Sequence, residues 1–71
     1  MDNNDMIRMA NQIGGFFKAY GPEEGTKEIA THINNFWEPR MRQALFAYVD
    51  GGGKGLDASV TAALPLVRRP A

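Results

Sequence analysis

Residues 36–42 read Phe-Trp-Glu-Pro-Arg-Met-Arg, and this stretch decides how the rest of the chain is divided. Proline disfavours helical geometry in the residue that precedes it, so a helix that reaches Trp37 has to stop before Pro39. The same proline suits the first position of a following helix. We therefore predict a corner between two helices at Glu38, with the chain's single tryptophan filling the small core beside it.

The segment before this corner carries apolar side chains at helical spacing. At about 100° per residue, the apolar side chains of a predicted first helix, Met6–Tyr20, fall within an arc of roughly 120°. They are Met6, Met9, Ala10, Ile13, Phe16, Phe17 and Tyr20. Asn4 or Asp5 can accept hydrogen bonds from the free N–H groups at the helix start. The segment is therefore predicted to be an amphipathic helix.

Two further helices are predicted on either side of the corner. Gly21 ends the first helix and Pro22 begins the second, which runs to Trp37. Its apolar stripe consists of Ile29, Ala30, Ile33, Phe36 and Trp37. The third helix is predicted from Arg40 to about Val49, with a core face made of Met41, Ala44, Leu45, Tyr48 and Val49. This count leaves Phe46 pointing away from the core.

The last third of the chain begins with glycines. Residues 50–56 are predicted to form a flexible loop, after which Asp57 caps a short fourth helix that ends before Pro65. Residues 1–5 are predicted to be a flexible N-terminus and residues 65–71 a C-terminal tail. Because no segment alternates like a strand, we predict one all-α domain over residues 1–71, a small bundle of three main helices plus a short fourth C-terminal helix.

Two adjacent glycines interrupt the first predicted helix. Gly14 and Gly15 each cost about 1 kcal/mol relative to alanine in a helix. Either the helix bends there or another backbone passes close to it. We favour the packing explanation over a ligand site.

Composition excludes several classes of function. The chain has 71 residues, no cysteine, and eight basic against eight acidic residues. Disulfides, thiolate zinc sites and cysteine-ligated iron–sulfur clusters are excluded, and a nucleic-acid module would usually carry a basic excess. No signal peptide and no membrane span is recognisable, so we expect a cytoplasmic protein that does not bind membranes or nucleic acid. A core this small predicts modest stability or self-association of the isolated chain.

The residues do not assemble into a catalytic site. A phosphate loop set on Gly53 and Lys54 would need glycine in place of Tyr48 and a hydroxyl residue in place of Gly55. His32 is the only histidine, and Glu28 lies one helical turn before it, which is a weak signal for a metal or acid–base pair. We therefore expect no catalytic, cofactor-binding or metal-binding residue, and no enzyme acting alone.

The corner is the best candidate for a binding site. Tryptophan and arginine are enriched at the energetic centres of protein interfaces. The candidate partner-binding residues are Trp37, Pro39, Arg40, Arg42 and Phe46. Arg40 and Arg42 project in different directions, so they do not form one anion pocket. The alternatives left open are a corner that only supports the core and a corner that also presents an arginine to another protein.

Two motifs in this chain resemble a known family. RMANQI at residues 8–13 and FWxPRMR at residues 36–42 are similar, in order and spacing, to the delta subunit of NAD-dependent, molybdenum-containing formate dehydrogenase. Phe16-Phe17, Ile29-Ala30 and His32-Ile33 also match, and the similarity covers nearly the whole chain after Asp5.

The resemblance implies a non-catalytic accessory subunit of a cytoplasmic complex that oxidises formate. In that family other subunits carry the molybdenum cofactor, iron–sulfur clusters, FMN and the NAD site, and the expected partner is the large molybdenum-containing subunit. The delta subunit is associated with assembly, stability or molybdenum-cofactor insertion. The alternatives are a stand-alone helical module that binds proteins or nucleic acid, and a carrier that holds the cofactor through Arg40, Arg42 or Lys54.

Overall fold

The computed structural model describes residues 2–70, and within them the chain forms helices and no strand. The predicted all-α bundle of three main helices and a short fourth is confirmed. Met1 and Ala71, which belong to the predicted N-terminus and tail, lie outside the described residues. None of the helices in residues 2–70 combines the length and apolar character that crossing a bilayer requires. The helices are α1, Asn3–Phe16; α2, Pro22–Phe36; α3, Pro39–Asp50; and α4, Ala58–Ala63, with 3-10 turns at Lys18–Tyr20 and Leu64–Leu66.

The first helix begins earlier than predicted. The carboxylate of Asp2 accepts a hydrogen bond from the Asp5 N–H at 2.8 Å, so Asp2 is the capping residue rather than Asn4 or Asp5. An ion pair of 2.8 Å between Asp5 and Arg8 supports the first turn. Residues 3–5 therefore belong to α1 and not to the predicted flexible N-terminus.

A close backbone contact joins the end of α1 to α2. After the 3-10 turn the chain reverses at Gly21, whose φ of 88° favours glycine, and Pro22 begins α2. A Cβ atom on Gly25 would stand 2.9 Å from the backbone carbonyl oxygen of Phe17. Only glycine at position 25 lets the two segments approach this closely.

The two glycines of α1 have different surroundings. A Cβ atom on Gly14 would lie 2.9 Å from Ser59 Oγ and 3.2 Å from Val60 Cγ2, whereas nothing lies within 4 Å of such an atom on Gly15. The predicted packing contact is therefore present at Gly14, where side chains at the start of α4, rather than the predicted backbone, lie against α1. Gly15 has no such contact.

The core lies between α2 and the other elements. Its buried members are Met6, Ala10, Ile29, Ala30, Ile33, Trp37, Leu45, Phe46, Val60, Ala63, Leu64 and Val67. Five side chains differ from the predicted faces. Phe16 and Phe36 are each 73% exposed, Tyr20 is 55% exposed, Ala44 is exposed, and Phe46 is only 6% exposed. A helical wheel gives the direction of a side chain around its axis but not whether a neighbouring segment extends far enough to cover it.

The segment that covers Phe46 is the predicted C-terminal tail. Leu64 and Val67 are buried in the core, so residues 65–67 are packed. The Arg69 guanidinium lies 4.2 Å from the centre of the Phe46 ring and forms a 3.4 Å ion pair with Asp50. The tail prediction is therefore wrong for this segment, because Pro65 is accommodated in a 3-10 turn that continues α4 across the core.

An asparagine on α2 holds this segment in place. The Asn34 side chain donates to the Leu66 carbonyl at 3.1 Å and accepts from the Arg68 N–H at 2.8 Å. One amide side chain thus pairs with the Leu66 carbonyl and the Arg68 N–H. These are backbone groups that a neighbouring strand would otherwise satisfy.

Asn11 on α1 repeats this arrangement at the other end of the C-terminal third. It donates to the Gly55 carbonyl at 2.9 Å and accepts from the Asp57 N–H at 2.8 Å. Asp57 takes the predicted position before α4, but its side chain makes no capping hydrogen bond. The Asn11 and Asn34 contacts, called here the asparagine clamps, attach residues 55–68 to α1 and α2.

We expect alanine to have opposite effects at two helical glycines. Gly15→Ala should raise the free energy of unfolding by about 0.5–1 kcal/mol, because alanine favours helix and the space around it is open. Gly25→Ala should lower it by about 1–3 kcal/mol, because the new methyl group meets a backbone oxygen that cannot rotate away. Urea unfolding of both variants measures this difference. Equal effects at the two positions would contradict the close contact at Gly25.

A neighbouring asparagine provides a matched test of the Asn34 clamp. Asn34→Ala should lower the free energy of unfolding by about 1–3 kcal/mol, because two hydrogen bonds are lost. Asn35→Ala should change it by no more than about 0.5 kcal/mol, because Asn35 is exposed on the same helix and gains equally in helix propensity. Urea unfolding midpoints compare the two. Similar losses would mean that the clamp contributes nothing.

Candidate protein-docking surface

Residues 37–39 form the predicted corner between α2 and α3. Trp37 leaves the helix with extended backbone angles, φ −90° and ψ 126°, while its N–H still donates to the Ile33 carbonyl at 2.9 Å. Glu38 is also extended and Pro39 is the first residue of α3. Trp37 is 5% exposed, so its side chain belongs to the core as predicted. The corner is therefore held rigidly from the inside.

The two arginines of the corner have different surroundings. Arg40 is exposed, next to the exposed Pro39. Arg42 is half-buried, and its Nη1 donates to the Arg68 carbonyl at 2.8 Å. Arg42 thus helps to hold the C-terminal segment, and only Arg40 is fully free to meet another molecule.

Burial changes the list of candidate binding residues. Phe46 was predicted to be left over for a partner, but it lies beneath Val67 and Arg69 at the edge of the core. Of the five residues proposed from the sequence, Pro39 and Arg40 are exposed, Arg42 is half-buried, and Trp37 and Phe46 are buried.

A groove between α1 and α2 lies on one side of the corner. Its volume is about 350 Å³, and Trp37 closes one part of its wall. The remaining lining is Met9, Gln12, Ile13, Phe16, Phe17 and His32. None of these residues is aspartate, glutamate, lysine or arginine, so no carboxylate, ammonium or guanidinium group lines the groove.

Aromatic side chains surround this groove. Phe17 contacts Phe16 with ring centres 4.9 Å apart and Tyr20 at 5.4 Å, while His32 stacks on Phe36 at 4.7 Å. Phe17 and His32, 6.1 Å apart, connect the two groups across the helix pair. Phe16 and Phe36 are each 73% exposed and Tyr20 is 55% exposed. Phe16, Phe17, Tyr20, His32 and Phe36 are called here the aromatic face.

The predicted apolar stripes included four members of the aromatic face, Phe16, Phe17, Tyr20 and Phe36. Met6, Ala10 and Gly14 are the residues of α1 that are fully covered, and Phe16 lies about 120° around the helix from Ala10. The sequence signal that could have identified the exposed aromatic residues was the number of large side chains. Three aromatic residues fall within the last five residues of the predicted first helix, more than a core of this size needs.

The surroundings of the Glu28–His32 pair and of the glycine loop do not favour a metal site or a phosphate loop. Glu28 and His32 lie one turn apart on α2, but within residues 2–70 no three histidine or acidic side chains come together as metal ligands would. The loop between Asp50 and Asp57 has three glycines with positive φ, and the Tyr48 hydroxyl donates to the Lys54 carbonyl. The loop is therefore tied to α3 by a side chain that a phosphate loop does not have.

Comparison with known proteins gives one family. Residues 5–64 match the family model described as NADH-dependent formate dehydrogenase delta subunit FdsD. This match includes α1 from Asp5 onward, the whole of α2, α3 and α4, and the corner. No curated protein matches the chain.

The two arginines of the corner should differ in their effect on stability. Arg42→Ala should lower the free energy of unfolding by about 0.5–1.5 kcal/mol, the net value of one hydrogen bond. Its Nε is buried without a partner, and removing that group offsets part of the loss. Arg40→Ala should change stability by less than about 0.5 kcal/mol, because Arg40 is exposed. Thermal and urea unfolding of both variants measure this, and a larger loss for Arg40 would contradict the assignment.

Proposed function

Because the chain belongs to the family of NADH-dependent formate dehydrogenase delta subunits, we propose that it is a non-catalytic accessory subunit of that enzyme. Its partner in this proposal is the large molybdenum-containing subunit, in a cytoplasmic complex. Its role is to support assembly, stability or insertion of the molybdenum cofactor. The molybdenum cofactor, iron–sulfur clusters, FMN and NAD bind to the other subunits.

Exposed aromatic surface is the observation that carries this proposal. A chain of 71 residues leaves Phe16 and Phe36 largely in water, although its own core contains one tryptophan and one fully packed phenylalanine. Soluble monomers seldom leave large contiguous apolar patches exposed, and such patches are typical of protein interaction sites. A subunit whose surface is completed by a partner accounts for this distribution.

The chemistry of the chain supports a non-catalytic role. It contains no cysteine, so it has no thiolate to ligate an iron–sulfur cluster or a metal. Its only histidine is half-buried in the aromatic face against Phe36, and within residues 2–70 no side chain hydrogen-bonds to it as the partner of a catalytic base would. Formal charge is balanced, which favours a protein partner over nucleic acid.

The corner provides the polar part of the proposed contact. Arg40 is exposed on a backbone that Pro39 and the buried Trp37 hold in place, so the backbone loses little conformational freedom when a partner binds there. Glu38 and Arg40 also line a second cavity of about 300 Å³ together with the start of α1. The corner can therefore place one cation beside the uncharged groove.

Arg40→Ala tests the polar part of this contact. We expect it to weaken association with the large subunit by about 2 kcal/mol while leaving the free protein helical, because an exposed arginine acts mainly at an interface. Arg8→Ala, which removes an exposed arginine from α1, should have little effect. Pull-down with the purified large subunit and circular dichroism compare the two.

Steady-state kinetics of the assembled complexes test the accessory role. The KM for formate should be the same with wild-type chain and with Arg40→Ala in every complex that assembles. A large change in KM with assembly intact would contradict a non-catalytic role. Failure of the wild-type chain to associate with the enzyme would contradict the proposal as a whole.

A further inference from the structure

The groove between α1 and α2 has the lining of a helix-binding site. Phe16 stands on one side of it at the end of α1, and His32 stands on the other side, on α2. Met9, Ile13 and Trp37 form an apolar base. Grooves of this kind bind amphipathic helices, whose side chains three and four residues apart enter the groove in sequence.

The charge distribution specifies what such a helix presents. The chain carries sixteen acidic and basic side chains, yet none of them lines the groove. Gln12 supplies the one amide, at the rim. A charged side chain entering this groove would lose water without gaining a partner, which is costly. The complementary surface is therefore an apolar stripe.

The area of the aromatic face favours another subunit over a second copy of this chain. Phe16 and Phe36, each 73% exposed, together leave roughly 300 Å² in water if a phenylalanine offers about 200 Å². A stable dimer buries about 800 Å² on each partner. The face alone is too small for that, whereas a larger subunit can cover the groove and the adjoining corner with Arg40 together.

We propose that the groove between α1 and α2 binds an amphipathic helix of another formate dehydrogenase subunit through an uncharged, apolar stripe on that helix. This inference rests on the proposed function and names the part of the surface that performs it. The anchors are Phe16, which lines the groove, and Phe36, which packs against the lining residue His32. Gln12 marks the rim.

Removal of the anchors is the first part of the test. Formate dehydrogenase prepared without this chain is immobilised, and the dissociation constant is measured for each full-length variant. Phe16→Ala and Phe36→Ala should each raise it about tenfold to thirtyfold, the range of an interface anchor. Leu66→Ala is the control, because Leu66 is 53% exposed but belongs neither to the groove lining nor to the aromatic face. It should leave binding within about twofold of wild type.

Charges of both signs at the rim form the second part. Gln12→Lys and Gln12→Glu should both weaken binding about tenfold, because an apolar stripe accommodates neither charge. Gln43→Lys and Gln43→Glu, at an exposed glutamine of α3, should have little effect. If one sign weakens binding and the other strengthens it, the occupant is charged and the inference is wrong.

The outcomes separate this inference from the proposed function. If the wild-type chain binds the enzyme and the Phe16, Phe36 and Gln12 variants bind it equally well, the inference is wrong and the accessory role stands. If sedimentation shows that these variants lose self-association while their binding to the enzyme is unchanged, the aromatic face binds a second copy of the chain. That result would also overturn the inference. Absence of any binding by the wild-type chain would overturn both.

Discussion

The asparagine clamps are the contacts on which the closed core depends. Residues 55–57 and 66–68 carry backbone N–H and carbonyl groups that no helix satisfies, and a segment that lies against an apolar core needs partners for such groups. Asn11 and Asn34 each supply one donor and one acceptor, at distances between 2.8 and 3.1 Å. Because these side chains project from α1 and α2, they also place Val60, Leu64 and Val67 over the core.

This closure explains why the aromatic face is left in water. Once α4 packs on Gly14 and the following turn covers Phe46, the buried side of α1 is centred on Met6, Ala10 and Gly14. The aromatic residues at the end of α1 lie beyond that side. The stability of the core and the exposure of the aromatic face therefore have the same cause. The C-terminal third covers one side of the helix pair, and the large apolar side chains of the aromatic face stay exposed.

The corner connects these two parts of the molecule. Trp37 contributes to the core and also to the wall of the groove. Arg42 reaches back to the C-terminal segment, while Arg40 points to solvent. A stretch that combines a buried aromatic, a proline and two arginines thus divides its work by residue: three hold the structure and one is available to a partner. This division agrees with a small subunit whose binding surface must be rigid before its partner arrives.

The sequence by itself determined the helical class, the corner at Glu38, the burial of Trp37 and the absence of thiolate chemistry. These properties depend on local rules: helical periodicity, the restriction that proline imposes, and composition. The family resemblance carried by residues 8–13 and 36–42 was likewise readable from the sequence, and the match over residues 5–64 confirms it. Only the tertiary structure decided that Phe46 is buried, that Phe16 and Phe36 are exposed, and that Asn11 and Asn34 hold the C-terminal third. The physical reason is that periodicity gives the direction of a side chain around its own helix, whereas its burial depends on which distant segment crosses over it. In this chain that segment follows a glycine loop and contains Pro65, so no local sequence pattern predicted its return to the core.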